Sequence, residues 1–495
     1  MSIIVILLLP LVATALVCLP FKKHWAAGVT VVSCLTILVL AVRVAWLVSA
    51  GSSVTAALKV GMLKWIAVDG LSALILVLIA LVGSTAAIFS VGYMAHKSLE
   101  PRKLLLYYAN YNLFIFSMLA IPVMAEPTLV WIVVELTTLC SALLVSFENT
   151  REALEAAWKY VVLSLMGAAM ALFGFLVLFA AMQAAGGGVY TWEGLVIAAP
   201  LMPPVLLQTA FLMILIGLGA KAGLVPMHTW LPDAHSQAPS PVCALLSGVE
   251  TTAILYVILR LFPVMKAAPN SHAEVWALVL GLISVGTAAF LLLQVRDYKR
   301  MFAFSTVEHM GIILAAVGLG ASAAGYGVMQ QIVSHSITKS FCFFAAGAAL
   351  LAVETREIAA VRGLIRKSPV ACAALIFGGL GITGAPPLAV FLSEFSILRA
   401  GLNQRHYLAT GLLAVFIVIA FFGVMLHINR MVFGAREGEE APPTNEHSSG
   451  EKEQKLPFSC RLTLLLAAVP VLVLGFYIPR PLHDLLTQAA AALTK

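Results

Sequence analysis

Groups that can hold or release a proton stand inside apolar runs of this chain. Glu135 lies within Val130-Trp-Ile-Val-Val-Glu-Leu-Thr-Thr-Leu139, and Lys221 within Gly217-Leu-Gly-Ala-Lys-Ala-Gly223. The second half adds His309, His335, Lys339 and Glu394. A lysine or carboxylate at the centre of a bilayer costs on the order of 2.5–3.5 kcal/mol, so residues kept there point to an ion or proton path. His335 and Lys339 are four apart and share one helical face, the spacing of a relay step. An ammonium in low dielectric gives up its proton readily, whereas a nearby carboxylate keeps it charged; a lysine poised between these effects can switch.

Further candidates are less sharply defined. Lys159, close to a helix end, reads either as a relay group or as a side chain snorkelling to the interface. His309 is a relay candidate or a hydrogen-bonded packing residue. Glu250 lies mid-span and is expected to titrate, and His228 sits in the proline-rich stretch after Lys221. A structural buried salt bridge is the rival for Glu135, Lys221, Lys339 and Glu394, but such pairs are weak stability devices. The Gly217-x-Gly219-x-x-x-Gly223 run has neither the preceding strand nor the spacing of a dinucleotide loop, and is read as helix packing.

The elements that hold these residues follow from composition. Of 495 residues, 61% are hydrophobic and 11% charged, against roughly a quarter charged in soluble domains. Uninterrupted apolar stretches near 2–20, 27–49, 71–92, 157–183 and 274–295 each suffice for the roughly 20 residues a membrane helix needs. The first run has no basic start and no small-residue cleavage site, so it is read as a span and not as a secretory leader. The expected fold is all-α and integral to the membrane, with about fourteen transmembrane helices. Prolines crowd 226–241, and Gly384-Ala-Pro-Pro387 interrupts a later span. Broken helices at matching positions of two halves mark ion sites near the membrane middle. They fit two five-helix repeats, inverted because each holds an odd number of spans. The expected organisation is a three-helix segment at 1–105, a first repeat at 106–262 and a second at 263–433. A cytoplasmic linker at 434–458 and a last helix at 459–495 complete it.

Seven single cysteines without a Cys-x-x-Cys pair offer no ligands for an iron–sulfur cluster or structural zinc. The net charge of +7 is spread over short loops, so no nucleic-acid patch forms. With Lys22 and Lys23 in the cytoplasm, most basic residues face that side and both termini lie on the other.

The run Lys221-Ala-Gly-Leu-Val-Pro-Met-His-Thr-Trp-Leu-Pro-Asp-Ala-His-Ser-Gln-Ala-Pro239 closely resembles the antiporter-like subunits of respiratory complex I, multisubunit Na⁺/H⁺ antiporters and membrane-bound [NiFe] hydrogenases. Arg296-Asp-Tyr-Lys-Arg300, Phe304-Ser-Thr-Val-Glu-His-Met-Gly311, His335-Ser-Ile-Thr-Lys339 and Phe391-Leu-Ser-Glu-Phe395 extend the likeness over 90–435. Glu155-Ala-Ala-Trp-Lys-Tyr160, Pro239-Ser-Pro-Val-Cys-Ala-Leu-Leu-Ser247 and Glu354-Thr-Arg-Glu-Ile-Ala-Ala-Val-Arg-Gly363 bring it nearest to the F components of hydrogenase 4, formate hydrogenlyase-type subunits. The resemblance makes Glu135 and Lys221 a key pair, expected to act as one electrostatic switch, and implies proton transfer by Glu135, Lys221, Lys339 and Glu394, in an inner-membrane subunit moving H⁺ or Na⁺. Lipid, other membrane subunits and a peripheral redox arm would be its partners. The arm would carry iron–sulfur clusters and a NiFe centre or flavin, and this chain no cofactor. A cation/proton antiporter without redox partners and a non-pumping scaffold are the rival readings. In one place the chain departs from the pattern, since Thr252 stands where complex I relatives have a connecting lysine, with Glu250 two positions earlier.

Overall fold

The computed structural model describes residues 2–19, 24–51, 59–60, 63–97, 99–434 and 456–494. Lys22, Lys23 and residues 435–455 of the expected linker lie outside the described residues. The first half contains α1 (Ser2–Val17), α2 (Trp25–Ser49), α3 (Gly70–His96), α4 (Pro101–Ala120), α5 (Pro127–Val145), α6 (Arg151–Ala184), α7 (Trp192–Ala198), α8 (Pro204–Ala222) and α9 (Trp230–Gln237). A long span follows in pieces, α10 (Ser240–Leu245), a π-type turn over Leu246–Glu250, α11 (Thr251–Leu259) and α12 (Leu261–Ala267). Then come α13 (Ala273–Leu292), α14 (Tyr298–Gly318), α15 (Ala321–Val353), α16 (Leu364–Lys367), α17 (Pro369–Ile382), α18 (Ala389–Asn403), α19 (Tyr407–Phe433), α20 (Phe458–Phe476) and α21 (Arg480–Ala491). The strands among the described residues are one antiparallel ribbon, Lys59–Val60 with Leu63–Lys64.

Among the described residues, twelve helices are long and apolar enough to cross a membrane, with Ser240–Ala267 counted as one. The protein is therefore a helical, multi-pass membrane protein. The expectation of about fourteen spans differs because α1 has 16 residues and the interrupted pair α17 and α18 only 14 and 15. Ser240–Ala267 is wholly enclosed, and α14 and α15 nearly so. α2, α19 and α20 instead turn Val39, Phe422 and Leu465 outward, as helices facing lipid do. α15 touches α3, α10, α14, α17, α18, α20 and α21, which makes it the axis of the bundle.

Two breaks shape the interior. After α8, Gly223 takes a left-handed φ of +84° and is followed by the cis Val225–Pro226 bond. After α17, Gly384 takes φ +70° and is followed by the cis Pro386–Pro387 bond. Carbonyls left without helical partners must bond elsewhere inside a bilayer. The Trp230 indole donates to Ala220 O at 2.9 Å, and His309 Nε2 bonds Ile382 O at 2.9 Å. α6 and α8 meet backbone to backbone, since a Cβ on Gly167 would stand 2.5 Å from Gly217 O and the reverse holds equally.

At one edge Asp69 caps α3 by accepting from the Ser72 N–H at 2.9 Å, and its carboxylate forms a two-pronged pair with Arg260. Burial opposes ionisation of Asp69, but the Arg260 charge and hydrogen bonds outweigh it and hold the carboxyl at about 2. The amphipathic α21 buries Leu485, Leu486 and Ala489 against this end of α3 and α15, and Gln488 donates to Ser49 O at 2.9 Å. The opposite edge is basic. There Lys97 pairs with Glu148, Asp233 with Lys159 and Arg300, and Asp297 with Arg356.

Candidate proton-transfer site

Lys221 occupies the last turn of α8, where the carbonyl end of a helix favours a cation. It is 1% exposed, and α5 cradles its ammonium with Val134 O, Thr137 Oγ1 at 2.8 Å and Thr138 Oγ1. The carboxylate closest to it differs from the expected one. Glu250 Oε1 lies 3.9 Å from Lys221 Nζ, whereas Glu135 is within electrostatic reach but forms no ion pair with it. Both Glu135 oxygens are buried without a hydrogen-bond partner. The Val134 carbonyl and the Thr137 and Thr138 hydroxyls take up the donors of the ammonium on the α5 side instead. The Tyr160 hydroxyl on α6 donates to Glu250 Oε1 at 3.0 Å and lies 2.7 Å from Ser141 Oγ. Its ring packs on Trp230 with centroids 4.4 Å apart.

A second cluster surrounds α15. Lys339, fully buried, donates to Phe302 O at 2.9 Å and to Ser305 Oγ. The rings of His309 and His335 lie 5.1 Å apart. Because Ile382 O can only accept, His309 carries its proton on Nε2, and Nδ1 accepts from the Gln331 amide at 2.8 Å. Gln331 Oε1 in turn accepts from Ser393 Oγ at 2.5 Å, next to Glu394 on α18. Glu394 is buried against the second break, with Oε2 only 2.2 Å from where a Cβ on Gly384 would stand.

The π-type turn joins the two clusters. The Thr251 N–H bonds Leu246 O five residues back, so Ser247 O is available for other donors. It accepts from Thr251 Oγ1 at 2.8 Å and from His335 Nε2 at 3.2 Å, while Ser247 Oγ contacts Thr306 Oγ1 at 2.6 Å. Glu250 at the end of this turn faces Lys221, and Thr252 faces Ser336 at 3.5 Å. One helix thus shows a carboxylate to the first cluster and hydroxyls and a carbonyl to the second.

The remaining candidates lie apart. Lys159 is 44% exposed and pairs with Glu155 at 2.7 Å and Asp233 at 3.3 Å on the basic edge. His228 is buried beside the first break with an unpartnered Nδ1. Sequence reasoning passed over Tyr160, Gln331, Ser393, Glu308 and His235. Tyr160 carries no charge that would mark it inside an apolar run, and its role exists only through contact with Glu250. Glu308 was legible as a carboxyl beside His309 inside an apolar helix, and it is buried. No group of three His, Cys, Asp or Glu side chains among the described residues could hold a metal ion.

Fold and site define a multi-pass helical membrane protein with an internal line of ionisable and hydroxyl groups passing two broken helices. The chain belongs to the NADH:quinone oxidoreductase/Mrp antiporter transmembrane family, whose pattern matches residues 126–422. Residues 64–102 also match the N-terminus of chain 5 of NADH-ubiquinone oxidoreductase, complex I. The chain is 37% identical over 420 residues to the hydrogenase-4 component F homolog of Methylacidiphilum infernorum, covering 83% of this chain and 85% of that one. It is 27% identical over 443 residues to the Na(+)/H(+) antiporter subunit A1 of Staphylococcus haemolyticus, covering 85% of this chain and 53% of that protein. The fold is shared with a chain of the Mrp complex from Dietzia, with a TM-score of 0.86 at 21% identity, covering 100% of this chain and 97% of the other.

Proposed function

We propose that this protein is a proton-translocating membrane subunit of a multisubunit redox complex of the hydrogenase-4 or NADH:quinone oxidoreductase kind. The observation that carries the reading is the line of groups from Glu250 and Lys221 through the π-type turn to His335, His309, Lys339 and Glu394, enclosed in an otherwise apolar bundle. Groups of this kind are expensive in a membrane interior and are kept where protons or ions move. Within this reading Glu135, Lys221, Lys339 and Glu394 transfer protons, with Glu250, His309 and His335 between them and His228 a further relay group beside the first break. Lys159 tunes the basic edge. Redox chemistry belongs to partner subunits in a peripheral arm, which hold the iron–sulfur clusters and the NiFe centre or flavin. The chain lies in the inner membrane with its basic edge toward the cytoplasm and both termini on the opposite side, as the positive-inside rule orients it. The 106–262 and 263–433 segments are the two inverted repeats.

The resemblance to an antiporter subunit favours a second reading, cation/proton exchange without redox partners. Purification of the native complex separates the two. Co-purifying hydrogenase or quinone-reductase subunits, and proton uptake into vesicles on supply of their electron donor, support the first reading. A complex without redox subunits that exchanges Na⁺ for H⁺ establishes the second. Absence of any ion flux leaves a scaffold.

A further inference from the structure

Two buried imidazoles, His235 and His427, are left over from the line of groups above, and His427 sits apart on α19. His235 is fully buried near the end of α9, and its Nδ1 lies 2.7 Å from Leu231 O. A carbonyl can only accept, so Nδ1 carries the ring proton and Nε2 presents a bare lone pair. That lone pair is buried without a hydrogen-bond partner. Leaving a buried acceptor unmade costs about 1–3 kcal/mol.

Two lysines lie near this imidazole. On the side of the basic edge, Lys299 is 1% exposed and donates to Ser236 O at 3.1 Å and Ala238 O at 2.5 Å, the residues that follow His235. On the inner side, the His235 ring lies 5.3 Å from that of Phe343, one turn along α15 from Lys339. Phe343 also packs on Phe302, whose carbonyl takes the Lys339 ammonium. Both lysines act electrostatically on His235. Other ionisable groups stand close by: Asp297 accepts from Ser236 Oγ at 2.5 Å, Arg356 donates to Ser236 O at 2.8 Å, and the Cys243 thiol of α10 donates to His235 O at 3.0 Å.

Resting on the proton-translocating reading above, we propose that His235 is a proton-transfer residue joining Lys299 at the basic edge to Lys339 on the bundle axis. The Lys299 ammonium or a water beside it gives a proton to Nε2, forming an imidazolium that keeps its Nδ1–H on Leu231 O. Nε2 then releases that proton to the neutral amine of Lys339, regenerating the neutral ring in its starting tautomer. The ring does not turn over, because the same nitrogen takes up and gives up the proton. His335, four residues before Lys339 and also carrying an unpartnered nitrogen, leads onward from the far side.

The test uses the native complex carrying His235→Gln, His235→Ala or Lys339→Ala, reconstituted in vesicles and energised through its electron-transferring partners. Assembly is checked by subunit content. His235→Gln retains an N–H for Leu231 O but cannot carry a proton, and it is expected to lower proton flux about tenfold or more. Imidazole added to the His235→Ala complex is expected to restore much of the flux, which a packing role would not allow. Normal flux in His235→Gln overturns the proposal, as does loss of flux in assembled His235→Ala complex that imidazole fails to restore. If Lys339→Ala abolishes flux while His235→Gln does not, this inference alone falls; if Lys339→Ala also pumps normally, the broader reading falls with it.

Discussion

Lys221 and Glu250 face each other across the α8 and α10–α11 helices with 3.9 Å between Nζ and Oε1, both side chains almost wholly enclosed. At an effective dielectric near 20 such a pair interacts by about 4 kcal/mol, enough for each member to govern whether the other is charged. Lys221→Met leaves the Glu250 carboxylate buried without its cation, and Glu250→Gln leaves the ammonium without its carboxylate. Each single change is expected to lower thermal stability and to cut proton flux about tenfold or more. The double change Lys221→Met with Glu250→Gln is expected to recover stability but not flux. Differential scanning fluorimetry and vesicle flux on the same four complexes check this, and additive stability losses would contradict it.

Tyr160 positions Glu250 by its 3.0 Å hydrogen bond, so Tyr160→Phe removes a donor to a carboxylate that stays buried. Such a loss costs about 1–3 kcal/mol. The pH at which flux is half-maximal is expected to move while the maximal flux falls less than in Glu250→Gln. An unchanged pH profile would assign Tyr160 to packing against Trp230 alone.

Gly384 is expected to tolerate no side chain. Its φ of +70° and the position of Glu394 Oε2, 2.2 Å from a Cβ placed there, require both backbone and carboxylate to shift in Gly384→Ala. Flux is expected to fall about as far as in Glu394→Gln, since both changes displace the same carboxylate. Flux in Gly384→Ala indistinguishable from the unaltered protein would show that Glu394 has no fixed working position.

Asp69 gives a pH dependence of stability outside the membrane interior. Its carboxyl is lowered from 3.8 to about 2 in the folded protein, so the stabilisation is complete above 3.8 and is lost as pH falls from there toward 2. The carboxylate is 45% exposed, and solvent limits the pair with Arg260 to about 1 kcal/mol or less. Melting temperature is therefore expected to drop modestly between pH 5 and about 2, with a shallower drop in Asp69→Asn. Equal acid sensitivity of the two proteins would exclude a contribution from this pair.

The membrane fold was legible because apolar runs and proline positions are local properties, and the two broken helices stand where the Pro226 and Pro386-Pro387 clusters put them. Glu135, Lys221, Lys339 and Glu394 were visible as charges in apolar surroundings. Their partners were not. Whether Lys221 meets Glu135 or Glu250 depends on how α8 packs against α5 and on the π-type turn, which rotates Glu250 toward it. No single-sequence periodicity encodes that rotation. His235 escaped notice because its neighbours Asp233, Ser236 and Gln237 make the local sequence look like a loop, and only the fold encloses it.

The interlocked glycines of α6 and α8 have a mechanical consequence. With Gly167 and Gly217 in backbone contact, neither helix can slide or tilt alone, so Tyr160 and Lys221 are carried on a single rigid strut. Lys221 is in addition tethered to α5 through Thr137 and Thr138. Glu250 is tied to the same strut through Tyr160, but it stands at the end of the Leu246–Glu250 turn, where the helix is already wound one residue loose. A change that parts the pair is expected to begin at that turn and to cost the Tyr160 hydrogen bond as well as the ion pair.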